Sequence, residues 1–238
     1  MQEKLERALG EIANEPVRVH CAGRTDTGVH GFSQVIHFDT PVVRSCKAWV
    51  LGGNANLPFD VRIHWAVPVA AEFHARFSAL ARRYRYVIAN TRIRPALLRV
   101  QTTWQRRPLD ELAMHDAAQS LLGEQDFSAF RAASCQSNTP MRNVHAIDVS
   151  RRGDLVIVDI KANAFLHHMV RNIAGSLMAV GTGSQDVGWI ASLMLGRDRT
   201  VAAETAPPHG LYLVDVEYPA HFDLPRTPYG PLLLGPAS

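Results

Sequence analysis

VHAIDVSRRGDLVIVDIKANAFLHHMVRNIAGSLMAV, residues 144–180, holds two strand-like stretches and then a helical one, and its reading decides the fold class. Apolar and polar residues alternate over 144–150 and again over 155–162, as in strands with one covered face. Arg152-Gly153-Asp154 between them is a turn sequence, so the two strands form a hairpin. From Phe165 to Val180 the period lengthens, and Met169, Val170, Ile173, Leu177 and Val180 share one helical face that is read as core. A hairpin followed directly by an amphipathic helix predicts helices layered on a sheet, an α+β arrangement.

Working outward, the same half of the chain opens with a strand over Arg82–Ala89 and a helix over Leu109–Leu122 that Gly123 ends. It closes with a short helix near Val187–Leu195 and a strand over Leu211–Glu217, giving the order β-α-β-β-α-β. The residues before it predict a helix (Gln2–Ile12), two strands (Val17–Ala22 and Ser33–Phe38), a helix (Ser45–Asn56) and a strand (Val61–Val67). This is the same order without its first strand. In a split unit of this kind the first strand lies inside the sheet, and each buried backbone group left unpaired would cost about 1–3 kcal/mol. The expectation is therefore a natural chain that starts further upstream.

With 238 residues, 47% of them hydrophobic, the chain can bury one large core or two smaller ones. No stretch approaches the roughly 20 apolar residues of a membrane span, and Met1-Gln2-Glu3-Lys4 does not open a signal peptide, which places the protein in the cytoplasm. Cys21, Cys46 and Cys135 have neither the number nor the spacing of a disulfide framework or a zinc site. The net charge is only +3, but arginine outnumbers lysine 22 to 3. Nine arginines fall between Arg76 and Arg107 with no Asp or Glu among them. Arginine forks bind phosphate and stack on bases, so this run, interleaved with Tyr84, Tyr86 and Trp104, suits a polyanion. A solvated arginine face of a GC-rich genome is the plainer alternative.

Residues 22–31, AGRTDTGVHG, follow a strand and are framed by Gly23, Gly28 and Gly31, the composition of a tight loop at a strand end. Asp26 is either a functional carboxylate or the cap of an Asx turn. A phosphate-cradling loop is excluded because no Gly-Lys-Ser/Thr follows. His167 and His168, adjacent on a presumed helix, would point about 100° apart and could not share a metal, so they are read as packing or RNA-facing residues. His30 and His37 lack a partner at a recurrent ligand spacing, and no metal site is expected.

The loop AGRTDTGVHG resembles the catalytic motif of the tRNA pseudouridine synthase A family. FHARFSALARRYRYVIAN (73–90), FRAASCQSNTPMRNV (130–144) and IKANAFLHHMVRNIAGSLMAVG (160–181) resemble that family too, in its order, so the likeness covers nearly the whole chain. It implies the pseudouridine synthase fold: two ferredoxin-like halves, 1–76 and 77–238, with mainly antiparallel sheets meeting at a central cleft. The family's preceding strand, with its YDG and GWQ motifs, has no counterpart here, and Thr27 stands where the family usually has alanine.

By resemblance, the catalytic carboxylate falls on Asp26, the arginine that pairs with it on Arg171, and the active-site tyrosine on Tyr84. Arg24 would occupy the space that a flipped base leaves. Arg82, Arg83 and His168 are further candidates for RNA contacts. Turning uridine into pseudouridine breaks the C1′–N1 bond, rotates the uracil and joins C1′ to C5, and an ionised carboxylate can serve it as nucleophile or as electrostatic stabiliser. Tyr84 offers a flat face for the detached uracil and a hydroxyl for the C5 proton. The resemblance implies a homodimer, tRNA as partner, no cofactor, and uridines 38, 39 and 40 of the anticodon stem-loop as targets. The rival reading is a tRNA-binding protein on the same scaffold, non-catalytic or inactivated by truncation. A metal-dependent RNA hydrolase would need a set of acidic and histidine ligands that the sequence does not display.

Overall fold

The computed structural model of the chain describes residues 1–226 and 230–235. In chain order its helices and strands are α1 (Gln2–Ala13), β1 (His20–Cys21), β2 (His30–Gly31), β3 (Ile36–His37), α2 (Cys46–Asn56), β4 (Ala81–Asn90), β5 (Thr103–Gln105), α3 (Glu111–Ala118), β6 (Gly123–Asp126), β7 (Met141–Arg152), β8 (Leu155–Ala162), α4 (Met169–Gly181), α5 (Trp189–Gly196) and β9 (Leu211–Glu217). The architecture is α+β. No helix among the described residues is long and apolar enough to cross a membrane.

Two compact units divide these residues. The first takes 1–24, 34–80 and 217–226. Its core is Leu9 and Ala13 of α1, Val17, Val19 and Trp49 of α2, with Leu5, Ile12, Ile36, Phe38 and Ile63 packed around them. Helix α2 starts one residue later than predicted because Ser45 is its cap, accepting the Ala48 N–H on Oγ at 3.2 Å.

The strands expected over 17–22 and 33–38 shorten to the two-residue antiparallel pair β1·β3, in which His20 faces His37. Side chains satisfy much of the neighbouring backbone instead. Gln34 holds both the Gly23 N–H and its carbonyl (3.3 and 2.6 Å), and the Glu6 carboxylate accepts the Val19 N–H at 3.1 Å. The strand predicted over Val61–Val67 does not form for the same reason. The Asn54 amide accepts the Ile63 N–H at 2.7 Å and donates to the Ile63 carbonyl at 2.8 Å, so both groups a ladder would use are taken. Burial, helped by the nearby His74 and His20, pulls the His37 imidazole below its ordinary value, in keeping with Nδ1 accepting the Ala75 N–H at 3.1 Å.

The second unit takes 25–33, 81–216 and 230–235. Its sheet runs in the order β2-β9-β4-β8-β7-β6, with β5 added to β4. The pairs β4·β8, β8·β7 and β7·β6 are antiparallel, while β2·β9 and β4·β5 are parallel. The hairpin β7–β8 turns at Gly153, where φ is +56°, a conformation that glycine adopts without a Cβ clash. Helix α4 packs on β4 and on α3, which lies against β7. On the other face Val87, Ile157, Tyr212 and Val214 pack with Leu233 and Leu234. Strand β4 is thus covered on both sides, which explains its nearly continuous run of buried residues. Met169, Val170, Ile173, Leu177 and Val180 of α4 are all buried, as their spacing predicts.

Candidate active site

Asp26 lies in the loop that leads into β2, and β2 fixes where the loop goes. His30 and Gly31 run parallel to Tyr212 and Leu213, and the His30 ring stacks on Tyr212 at 4.4 Å. The His30 Nε2 is within 3.0 Å of the Val100 carbonyl and 3.1 Å of the His209 carbonyl. Gly28 takes φ +87°, and a Cβ there would come within 3.0 Å of Pro208 and 3.2 Å of His209. A side chain there would press on the Pro208 and His209 side chains and strain the left-handed backbone. The turn itself is closed by backbone, Val29 N–H to the Asp26 carbonyl at 3.1 Å. The Asp26 carboxylate is therefore not spent on an Asx turn.

That carboxylate instead meets the start of α4. Arg171 Nη1 donates to Asp26 Oδ2 at 2.9 Å, and the Arg171 side chain is only 13% exposed. His168 Nε2 lies 3.2 Å from Oδ2 and His167 Nε2 lies 3.3 Å from Oδ1. The expectation that the two histidines diverge is corrected here. Helix α4 begins only at Met169, and His168 precedes it in the left-handed region at φ 61°, which swings both imidazoles to one side, their centres 3.9 Å apart. Burial pulls the His168 imidazole down from its ordinary value; Asp26 opposes this, while His167, Arg171 and Arg199 reinforce it.

Arg171 is itself aimed from behind. Its Nε donates to the Ala206 carbonyl at 2.8 Å, and the Ala206 N–H returns a bond to the Arg171 carbonyl at 3.2 Å. Asn172 holds the same segment: its Oδ1 accepts from Thr205 Oγ1 at 2.7 Å and from Arg199 Nη2 at 3.1 Å, and its Nδ2 donates to the Phe130 carbonyl at 2.8 Å. Sequence reading missed Asn172, Arg199, Thr205 and His167 as supports of the site, because Arg199 and Thr205 meet the Asn172 side chain only across 27 and 33 residues of chain.

Gly175 permits this close approach. A Cβ there would sit 2.2 Å from the Glu204 carbonyl oxygen, a backbone atom that cannot rotate away. Gly175→Ala gains up to about 1 kcal/mol of helix propensity but incurs about 1–3 kcal/mol of overpacking. With a net cost of about 1–2 kcal/mol, its thermal midpoint should fall by about 2–8 °C, given about 2–4 °C per kcal/mol in a chain of this size. A midpoint at or above wild type, measured by circular dichroism, would show that the 204–206 segment yields freely.

Tyr84, in β4, is buried, with its ring edge-on to Phe165 at 5.0 Å. Arg82 Nη1 donates to the Asn163 carbonyl at 3.0 Å. Arg83 grips Asp159 through two bonds, at 2.6 and 3.0 Å, and Arg85 adds a third at 2.8 Å. Part of the acid-free arginine run is thus matched by an acid from the neighbouring strand. Arg92, Arg94, Arg99, Arg106 and Arg107 are exposed, and so is Arg24.

A model of the family described as tRNA pseudouridine synthase matches residues 117–219. The tRNA pseudouridine synthase A of Klebsiella pneumoniae is 61% identical over 234 residues, which span 98% of this chain and 87% of that protein. The chain belongs to the tRNA pseudouridine synthase family. Relatives of that name from Cronobacter sakazakii and Salmonella arizonae are 59% and 60% identical over the same shares of both chains. Within this tRNA pseudouridine synthase family member, the loop carrying Asp26 and the helix start carrying Arg171 are 145 residues apart in sequence and joined by a direct ion pair.

Proposed function

We propose that this protein isomerises uridine to pseudouridine in tRNA, at positions 38, 39 and 40 of the anticodon stem-loop, with Asp26 as the catalytic carboxylate. The observation that carries this is the Asp26–Arg171 pair, 2.9 Å long and built into a chain so close to named tRNA pseudouridine synthases. Asp26 stands at C1′ as the uracil leaves, either bonding to the sugar or uracil or stabilising the charge that develops. N1 takes a proton and C5 loses one when C1′–C5 forms, so the reaction is balanced without a redox partner. Arg171 fixes the direction of the carboxylate. Tyr84 stacks on the detached uracil or receives the C5 proton, and Arg24 fills the place of the flipped base. Arg82, Arg83 and His168 contribute to holding the RNA, whose phosphates meet the arginine-rich segment 76–107.

On this reading the chain follows the plan of two β-α-β-β-α-β halves, with Asp26 counted to the first (1–76) and Tyr84 and Arg171 to the second (77–238), and works as a homodimer in which one tRNA touches both copies. Tritium release from tRNA labelled at uracil C5 tests the activity. Release matched by pseudouridine at 38–40 is the expected result. Tight tRNA binding without any release would leave a binding protein on the same scaffold.

A further inference from the structure

The two imidazoles beside Asp26 carry a property that the isomerase chemistry does not use. One ligand atom each from Asp26, His167 and His168 lies within 4.8 Å of the other two; His167 Nε2 stands 3.3 Å from Asp26 Oδ1 and His168 Nε2 stands 3.2 Å from Oδ2. Around a tetrahedral ion with bonds of about 2.0–2.1 Å, neighbouring ligand atoms stand about 3.3–3.4 Å apart. Each imidazole stands at about that spacing from its own carboxylate oxygen, and rotation of the Asp26 carboxylate and the two rings brings three donors onto one ion. We infer that Asp26, His167 and His168 form a binding site for a divalent transition-metal ion of the zinc or cobalt kind, and that the bound ion stops the enzyme by occupying its carboxylate.

The donor set selects the ion. Two imidazole nitrogens and one carboxylate oxygen favour zinc, cobalt, nickel or copper over magnesium or calcium, which prefer a shell of oxygens. Three protein donors leave a fourth position for water. The outer shell is in place as well: Ser134 Oγ lies 3.0 Å from His167 Nδ1, which sets that ring with Nε2 toward Asp26. The Ala132 N–H bonds to the His167 carbonyl at 3.1 Å and holds the backbone. Against the ion stands Arg171, whose guanidinium is 2.9 Å from Oδ2 and repels a second positive charge. Arg171 and the metal thus compete for one carboxylate, so removing the arginine strengthens metal binding while it weakens catalysis. Binding does not depend on the isomerase reading; only the inhibition does.

The experiment titrates Co2+ into the untagged, full chain without RNA and follows the visible ligand-field absorption, with thermal melts of each variant. The expected result is one Co2+ per chain with a four-coordinate spectrum, displaced by Zn2+, and lost in both Asp26→Asn and His167→Gln. In Arg171→Gln the affinity should rise at least about tenfold, the order expected when a single positive charge about 6 Å from a divalent ion is removed at a partly exposed site with a water-like dielectric of about 80. Absence of the spectrum, its survival in folded Asp26→Asn and His167→Gln, or unchanged affinity in Arg171→Gln would each overturn the assignment. A parallel arm adds Zn2+ to the tritium-release assay and then a chelator. Reversible loss of release ties the site to the reaction, and full release with the ion bound would overturn the inhibitory role. The cobalt spectrum, read without tRNA, is unaffected if the isomerase reading itself fails.

Discussion

Asp26→Asn should lower tritium release from C5-labelled tRNA by at least about 10³-fold, in the range seen when a nucleophile or a preorganised charge is removed from an active site. The substitution keeps the shape of the side chain and an oxygen that can accept from Arg171 Nη1, so little else should change. Asp26 is 28% exposed and its ion pair partly screened, which limits the cost to stability to about 1–2 kcal/mol. The result therefore reads on chemistry, provided tRNA affinity and the thermal midpoint are measured beside it. Release within tenfold of wild type would remove Asp26 from the reaction and leave the Arg171 pair as a brace between the loop and α4.

Arg171→Gln should reduce kcat by about 10²–10³-fold, the usual effect of losing one fixed donor at a charged centre, with a much smaller change in KM. Arg171→Lys is the informative companion. Lysine restores the charge but has a single head group, whereas arginine serves Asp26 through Nη1 and the Ala206 carbonyl through Nε at the same time. The lysine variant should therefore recover only part of the loss, and its carboxylate should be less firmly directed. Equal, near-wild-type turnover in both variants would mean that the pair holds structure alone.

How much of this was legible in the sequence differs from place to place, for physical reasons. The strand Leu211–Glu217 has the bounds predicted for it, and the β7–β8 hairpin turns at the expected Gly153, because each of these stretches pairs with a long neighbour. Val61–Val67 alternates as a strand would and forms none, since Asn54 binds the backbone of Ile63 that a partner strand would need. Short strands such as β2 and β5 carry too few residues to show a period, yet β2 is the one that places Asp26. Within the site, the pairing of Asp26 with Arg171 was visible only through likeness to a family. The convergence of His167 and His168 was hidden because it depends on one left-handed residue ahead of α4.

Residues 25–33 belong to the second unit, while Arg24 before them and Gln34 after them belong to the first. The chain thus lends a nine-residue excursion to a unit whose main body starts only at Ala81. A gene cut between codons 80 and 81 would separate the acid from the base it pairs with and strip β9 of its parallel neighbour β2. Neither fragment would hold the Asp26–Arg171 pair, so on the proposed function the two stretches of chain must stay joined to work.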